Sequence, residues 1–409
     1  MYYTYMLEKA SHQLGVQELY PWQQAPFEAI LSARNVFAMA PTAGGKSLLY
    51  QLPALIGDGL TIAVSPLKAL QLDQVRQLQA KGCQAEVLNS DLSRSERQAV
   101  LEKLPSLQLL YLAPEQLDCD DLRAALANCR VARLAVDEAH ILPEAMLGFR
   151  KSYGRIGDFL SSLPKRPQVI ACTATATPKV RKQILQALGV PDAEVFTLPV
   201  RRENLHLQIK KINGGRDEMY HAVERTLRRW RRSGSRKERG SAIIYCTTVK
   251  DVKRLHKYLK ARDWHTKMYT GKTPQKKRQK TLEAFLSGEA PVVIATNAFG
   301  LGINKSDVRL VIHAGMPLGM NGYVQEIGRA GRDGRKAHCV LFYTKSDYGR
   351  NKSILNHGSR KAARQGIKDL DALMNLLRSR KCLWCGIERY FGEKPGKRCK
   401  HCCRCKHID

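Results

Sequence analysis

Apolar and polar positions along the chain fall into two runs of one pattern. Short apolar segments, NVFAMA, TIAVSPL, LQLLYLAP, ARLAVDE and QVIACTAT, alternate with longer stretches of helical periodicity. Segments of strand length that are apolar throughout predict strands buried on both faces, and so a parallel sheet covered by helices on each side. After QVIACTAT a polar helical stretch leads into LPVRREN, which reads as a connector. The alternation then restarts with LHLQIKKI, SAIIYCT, PVVIATN, VRLVIHAG and AHCVLFY. The predicted fold class is α/β, with two tandem parallel-sheet domains over 1–200 and 201–345. From residue 345 the strand pattern gives way to a basic helical stretch, GSRKAARQGIKDLDALMNLLRSR, and a cysteine-rich tail, predicting a small helical module over 346–409.

Composition narrows the function classes. Apolar residues are 44% of the 409, which excludes a largely disordered chain. No run approaches the ~18 apolar residues of a membrane span, and the start, MYYTYMLEKASHQLG, lacks the apolar core of a signal peptide. The expectation is a soluble protein of the cytoplasm, associated with the nucleoid in a bacterium, with a nuclear location left open. Lys and Arg total 68 against 37 Asp and Glu, a net charge of +31. That surplus predicts a polyanionic partner, nucleic acid ahead of a membrane surface. Eight Lys/Arg fall between Arg225 and Arg239, a stretch that reads either as a solvated loop or as an arm contacting phosphates.

Three segments carry candidate chemistry. In NVFAMA-PTAGGKS-LLYQLPAL a strand, a glycine-containing turn and a helix follow one another. Such a turn points successive backbone N–H groups at phosphate oxygens, at the positive end of the helix dipole. Thr42, Gly44 and Gly45 belong to the cradle, Lys46 is placed to reach the β- and γ-phosphates, and Ser47 to ligate Mg²⁺. In ARLAVDEAH an acidic pair ends an apolar strand, at the sheet edge where α/β folds bind ligands. Asp137 is expected to hold Mg²⁺ and Glu138 to orient or deprotonate the attacking water. In QEIGRAGRDG, Arg329 and Arg332 stand three apart, so that a helical turn would place both on one face. Guanidinium groups suit the spread charge of a transferring phosphoryl group.

With these segments in view, the chain resembles superfamily 2 helicases and most closely the RecQ family of DNA helicases, from about residue 8 to 405. YPWQQAPFEAI resembles the adenine-reading motif, with Gln23 at the position of its glutamine. APTAGGKSLLYQLPAL resembles motif I, VSPLKALQLDQV motif Ia, VDEAH motif II and TATATP motif III. VVIATNAFGLGINKSDVRLVIHAGMP and GYVQEIGRAGRDG resemble motifs V and VI. The resemblance implies two RecA-like domains and an ATP- and Mg²⁺-dependent 3′-to-5′ DNA helicase. It would act on single-stranded and on tailed or branched duplex DNA, as a monomer, in repair and recombination. The family usually continues into a winged-helix domain and often a further helical one, and the resemblance ends before either. The chain also departs from the family pattern. Tyr20 and Trp22 stand where an arginine and a glycine usually precede the glutamine. After the acidic box the family carries an aromatic-rich loop that couples single-strand contact to hydrolysis. Here its glutamine, tryptophan and histidine positions hold Glu144, Ala145 and Leu147, while Phe149 and Arg150 match. His140, Phe149, Arg150 and Tyr153 are the expected coupling residues, with Phe149 and Tyr153 as candidate rings for base stacking.

The tail KCLWCGIERYFGEKPGKRCKHCCRCKHID holds six of the twelve cysteines. CxxC spacing in a reducing compartment favours tetrahedral Zn²⁺ over disulfides. Spacing alone prefers Cys382, Cys385, Cys399 and Cys402. The resemblance prefers Cys382, Cys399, Cys402 and Cys405, because the family module has one cysteine before Tyr-Phe-Gly-Glu (Tyr390 to Glu393 here) and three after it. The second quartet is the expected set, with Cys385 in reserve, Cys403 a bystander, and His401 and His407 as possible substitutes. Two other readings stay open on the residues. One is a DNA-stimulated ATPase or translocase without productive unwinding, the other an idle zinc-containing nucleic-acid-binding protein. Motif chemistry alone does not separate DNA from RNA.

Overall fold

The computed structural model describes residues 2–41, 44–146, 151–299 and 305–405. The chain divides into two compact units, 1–198 and 199–409. The first is built on seven parallel strands: β1 (Val36–Met39), β2 (Leu60–Val64), β3 (Ala85–Leu88), β4 (Leu109–Leu112), β5 (Val131–Val136), β6 (Gln168–Thr173) and β7 (Glu194–Thr197). Their spatial order is β3-β4-β2-β5-β6-β1-β7. Successive side chains of β1 feed two separate cores. Phe37 and Met39 pack with Ile62, Leu110, Leu134 and Phe159 on one face. Val36 and Ala38 pack with Phe27, Leu49, Leu52 and Ile170 on the other. Two helices of this unit bear on the site: α1 (Pro21–Leu31) and α2 (Leu48–Ile56).

The second unit has six parallel strands: β8 (Leu205–Lys211), β9 (Ser241–Tyr245), β10 (Lys267–Tyr269), β11 (Val292–Ala295), β12 (Val308–Ala314) and β13 (Ala337–Tyr343). Their order is β10-β11-β9-β12-β13-β8. Helices α3 (Gly215–Arg232) and α4 (Val249–Lys260) cover one face, sharing a core with Ile244, Ile294 and Ile312. Helices α5 (Met320–Ile327), α6 (Arg360–Arg378) and α7 (Leu383–Tyr390) cover the other, packed with Tyr245, Val293 and Leu341.

The cysteine tail is built into this second core. Trp384, 1% exposed, donates its indole N–H to the Leu205 carbonyl at 3.4 Å. Leu207 on β8 donates to the His401 carbonyl and accepts from the Cys403 N–H. The tail thereby pairs with the outer edge of β8 and covers backbone groups that an edge strand would otherwise expose.

The strands read from the apolar runs are present. Three that the pattern did not predict are β3, β7 and β10, each at a sheet edge. No described helix is long and apolar enough to cross a membrane.

Candidate nucleotide site and metal centre

The phosphate-loop segment lies between the end of β1 and the start of α2. Gly45 has φ +76°, and a Cβ there would stand 2.5 Å from the Gln23 amide nitrogen. The position therefore requires glycine for conformation and for space. Lys46 donates its ammonium to the carbonyls of Ala40 at 2.8 Å and Pro41 at 3.1 Å, folded into the loop it is expected to leave for a phosphate. Ser47 is the N-cap of α2, and among the described residues its hydroxyl makes no capping bond. Thr42 lies outside the described residues.

Gln23 sits in the first turn of α1, which opens with Pro21. It is fully buried. Its amide oxygen accepts from the Tyr20 N–H at 2.7 Å, and its NH₂ donates to the Gly45 carbonyl at 2.8 Å. Trp22 donates its indole N–H to the Gly44 carbonyl at 3.0 Å. Gln23 and Trp22 thus hold two consecutive carbonyls of the loop, and Gln23 must exchange a partner to read a base. The role of Trp22 went unread in the sequence, where it registered only as a departure from the family pattern.

The acidic pair follows β5. The Asp137 N–H continues the ladder to the Val64 carbonyl of β2 at 2.9 Å, and its carboxylate accepts the Glu138 N–H at 3.0 Å. Glu138 is left-handed, with φ +49°, a conformation that costs free energy in a non-glycine residue and recurs at functional sites. His140 places Nδ1 3.3 Å from the Glu138 carboxylate and 3.0 Å from the Thr173 hydroxyl. Thr173 ends β6 and donates to the Thr175 carbonyl at 3.1 Å. Motifs II and III are joined through that imidazole. Burial pushes the Asp137 carboxyl well above the usual carboxylate range; Glu138 adds to the rise, and Lys46 opposes it. Two neighbouring carboxylates, one deeply buried, beside one lysine, with a serine hydroxyl that makes no capping bond among the described residues, form a donor set that fits a hard divalent cation.

Tyr153 departs from expectation. It is fully buried, and its hydroxyl donates to the Asp137 carbonyl. A ring packed inside the unit presents no face to a base, so in this structure Tyr153 braces the acidic box instead of forming a stacking platform. Phe149 and Arg150 lie outside the described residues.

In the second unit, Arg329 and Arg332 do not share a helical turn. Helix α5 ends at Ile327, and the arginines lie on the turn beyond it. Gly331 has φ +53° and donates its N–H to Val308, which breaks helical continuation. Arg202 donates to the carbonyls of Gly328 and Gly331, and Asn204 to Gly331 at 2.8 Å. Arg329 is 5% exposed, and its Nε and Nη1 have no hydrogen-bond partner among the described residues. At the other end of α5, Asp369 from α6 accepts the N–H groups of Met320 at 3.0 Å and Asn321 at 3.3 Å. The Tyr390 hydroxyl on α7 donates to the same carboxylate at 2.6 Å. Nothing in the local sequence signalled Arg202, Asn204, Asp369 or Tyr390, because each acts on a segment distant in the chain.

In the tail, the sulfurs of Cys382, Cys399, Cys402 and Cys405 all lie within 4.8 Å of one another. Cys399 and Cys405 are 3.8 Å apart, matching the edge of about 3.8 Å for a tetrahedron with Zn–S bonds of about 2.3 Å. Cys382 accepts the Cys399 N–H and Cys402 the Leu383 N–H. Burial works against the Cys382 thiolate, yet the N–H groups of Cys385 and Cys399 and the adjoining thiols bring it below the ordinary thiol value. Burial pushes Cys399 and Cys402 up. Bound Zn²⁺ would favour the thiolate form of its ligands. Cys385 stands outside, its thiol 3.5 Å from the Gly396 carbonyl. The geometry therefore fits the quartet that the resemblance preferred and not the one that spacing alone preferred. His407 lies outside the described residues.

Comparison with known proteins extends over both units. Residues 20–184 match the DEAD/DEAH box helicase model, and 218–334 the helicase conserved C-terminal domain model. The chain is 33% identical over 402 residues to the ATP-dependent DNA helicase RecQ of Bacillus subtilis (strain 168), covering 97% of this chain and 66% of that protein. It is 34% identical over 395 residues to the RecQ helicase of Pasteurella multocida (strain Pm70), covering 96% and 60%. With the ATP-dependent DNA helicase Q5 of Mus musculus it shares 34% over 410 residues, covering 94% and 41%. The chain thus spans about two fifths to two thirds of the length of these relatives. Among solved structures, Mss116p bound to ssRNA and AMP-PNP superposes with a TM-score of 0.70 at 20% identity, covering 95% of this chain and 88% of that one. The helicase MrfA bound to DNA gives 0.67 at 17%, covering 91% and 56%. These two show the fold alone. Similarity across nearly the whole chain, together with the phosphate loop, the acidic box and the four-cysteine cluster, makes this chain a member of the RecQ family of superfamily 2 helicases.

Proposed function

We propose that this chain is an ATP-dependent DNA helicase that couples hydrolysis to 3′-to-5′ movement along single-stranded DNA and to duplex unwinding, in repair or recombination. The observation that supports it most is the convergence of Lys46, Asp137, Glu138, His140 and Thr173 at the carboxyl ends of three strands, where parallel sheets bind their ligands. Ser47 and Asp137 are the residues that would hold Mg²⁺, which would neutralise negative charge on the phosphates. Lys46 exchanges its carbonyl partners for the β- and γ-phosphates. Glu138 orients the attacking water and takes its proton. Arg329 and Arg332 supply positive charge to the γ-phosphoryl group during turnover. His140 relays the state of Glu138 to Thr173 and Thr175, and Tyr153 ties Asp137 to the segment after the acidic box.

The relatives' names state DNA, which favours DNA over RNA as the track. The test is strand separation on duplexes carrying a 3′ or a 5′ single-stranded tail, with ATP and Mg²⁺. Unwinding of the 3′-tailed duplex alone is expected; preference for the 5′ tail would contradict the assigned direction.

A further inference from the structure

We propose that the outer face of α3 and α4, on the sheet face opposite the cysteine cluster, is a docking surface for the phosphate backbones of duplex nucleic acid. The inference deepens the proposed function, since it supplies a grip on duplex that the ATP site does not. Residues 215–280 carry 21 Lys/Arg against six Asp/Glu. The cations are arranged at helical period. On α3, Arg225, Arg228, Arg229 and Arg232 are exposed, while Met219, Tyr220, Val223 and Leu227 face the core. On α4, Lys250, Lys253, Arg254 and Lys257 are exposed, while Val252, Leu255 and Leu259 are buried.

The two stripes run side by side. Tyr258 on α4 bonds His221 at 2.8 Å and Glu224 at 3.1 Å on α3, so the helices touch, and touching helices have axes about 8–10 Å apart. Two adjacent rows of charge, each spanning about 10–15 Å, suit the two rows of phosphates that border a groove of a duplex. A single strand offers one row of phosphates; a duplex offers two. One of the six acidic residues engages a stripe: Glu224 is buried and pairs with Arg228 at 2.7 Å. Asp251 is buried and pairs with Arg216, Asp217 and Glu218 sit in the first turn of α3, Glu238 follows α3, and Asp263 lies beyond α4.

Helix stability does not explain the pattern. Arg225 with Arg229, Lys250 with Arg254 and Lys253 with Lys257 are like charges at i,i+4, which weakens a helix, and Lys250 occupies the first turn of α4, where the dipole disfavours a cation. Among the described residues the large exposed apolar side chains are Tyr20, Met146, Val195 and Leu286. None is on this face, which argues against membrane insertion and against an aromatic-anchored protein partner.

The test compares the full chain with the variant Arg225→Gln, Arg229→Gln, Lys253→Gln, Lys257→Gln. Binding of a short blunt duplex and of a single strand of equal length is followed across salt concentration. The expected result is a loss of about three to four in the log–log salt slope for duplex, and less than half that loss for single strand. An unchanged duplex slope overturns the proposal. So does equal loss on both DNAs, or loss of binding to phosphatidylserine vesicles with duplex binding intact. If the quadruple variant does not fold, Lys253→Gln with Lys257→Gln carries the same test, with about two expected. Duplex binding is read without ATP, so a chain that fails to unwind would refute the helicase reading and leave this result standing.

Discussion

At the scale of single residues, chemistry is concentrated where the backbone is least ordinary. Glu138 is held left-handed, so that its carboxylate meets His140 instead of continuing the direction of β5. Gly45 leaves the space that the Gln23 amide fills. In the tail, six cysteines compete for four places and hydrogen bonding sorts them. Cys382, Cys399, Cys402 and Cys405 converge, while Cys385 turns to the Gly396 carbonyl and Arg201. We therefore expect Cys405→Ser to lower bound zinc well below one equivalent and to reduce thermal stability, whereas Cys385→Ser retains a full equivalent. Metal analysis of the purified variants checks this, and loss of zinc from the Cys385 variant alone would reassign the ligands. The residue types at the nucleotide site were legible in the sequence because phosphate and Mg²⁺ chemistry constrains them at fixed spacing. The zinc quartet was not legible from spacing: Cys382 and Cys385 are equally well spaced, and only the folded position of the 396–405 segment separates them.

At the scale of elements, α5 links the helical module to the arginine turn. Its N-terminal N–H groups are capped by Asp369 from α6, and Tyr390 from α7 fixes that carboxylate. Gly319 leaves room for the cap, since a side chain there would strike the Asp369 carboxylate. Asp369→Ala removes a buried cap and is expected to cost about 1–2 kcal/mol. It should also lower the rate of DNA-stimulated ATP hydrolysis about tenfold with little change in KM for ATP, because Arg329 and Arg332 lose their placement. Urea unfolding and steady-state kinetics check the two halves. Burial raises the Asp369 carboxyl, although Tyr390, Asn321 and Met320 partly offset it by donating to the ionised form. The folded protein therefore holds this proton at pH values where the unfolded chain has released it. The stability tied to the group declines as pH rises from the ordinary carboxyl value through the folded one. Asp369→Asn should flatten that part of the pH profile. Such a cap could not be read from the sequence, because Asp369 lies 49 residues from Met320. The strands missed have a related cause. β3, β7 and β10 are edge strands of three or four residues, and β7 and β10 are only partly buried. They lack the continuous apolar run that burial on both faces imposes on β1, β2, β9 and β11. The edge strand β8 was legible because its alternation, LHLQIKK, is seven residues long.

At the scale of the molecule, the candidate nucleotide site belongs to the first unit, and the tail that pairs with β8 belongs to the second. The Cys403 and His401 backbone partners of Leu207 come from the same segment as three of the four clustered cysteines. The tail is thus part of the second unit's sheet, a relation that the expected boundary at residue 345 did not anticipate. The excess of positive charge likewise resolves into ordered stripes on α3 and α4. In the proposed function, ATP hydrolysis at the Lys46 site is controlled by DNA and spent on strand separation. The most direct measurement follows both in one sample, ATP hydrolysis with and without single-stranded DNA alongside separation of a 3′-tailed duplex, with Lys46→Ala as control. Single-stranded DNA is expected to stimulate hydrolysis at least tenfold, the duplex to separate, and Lys46→Ala to lose both while still binding DNA. Hydrolysis that is indifferent to DNA, or stimulated hydrolysis that separates no strands, would contradict it.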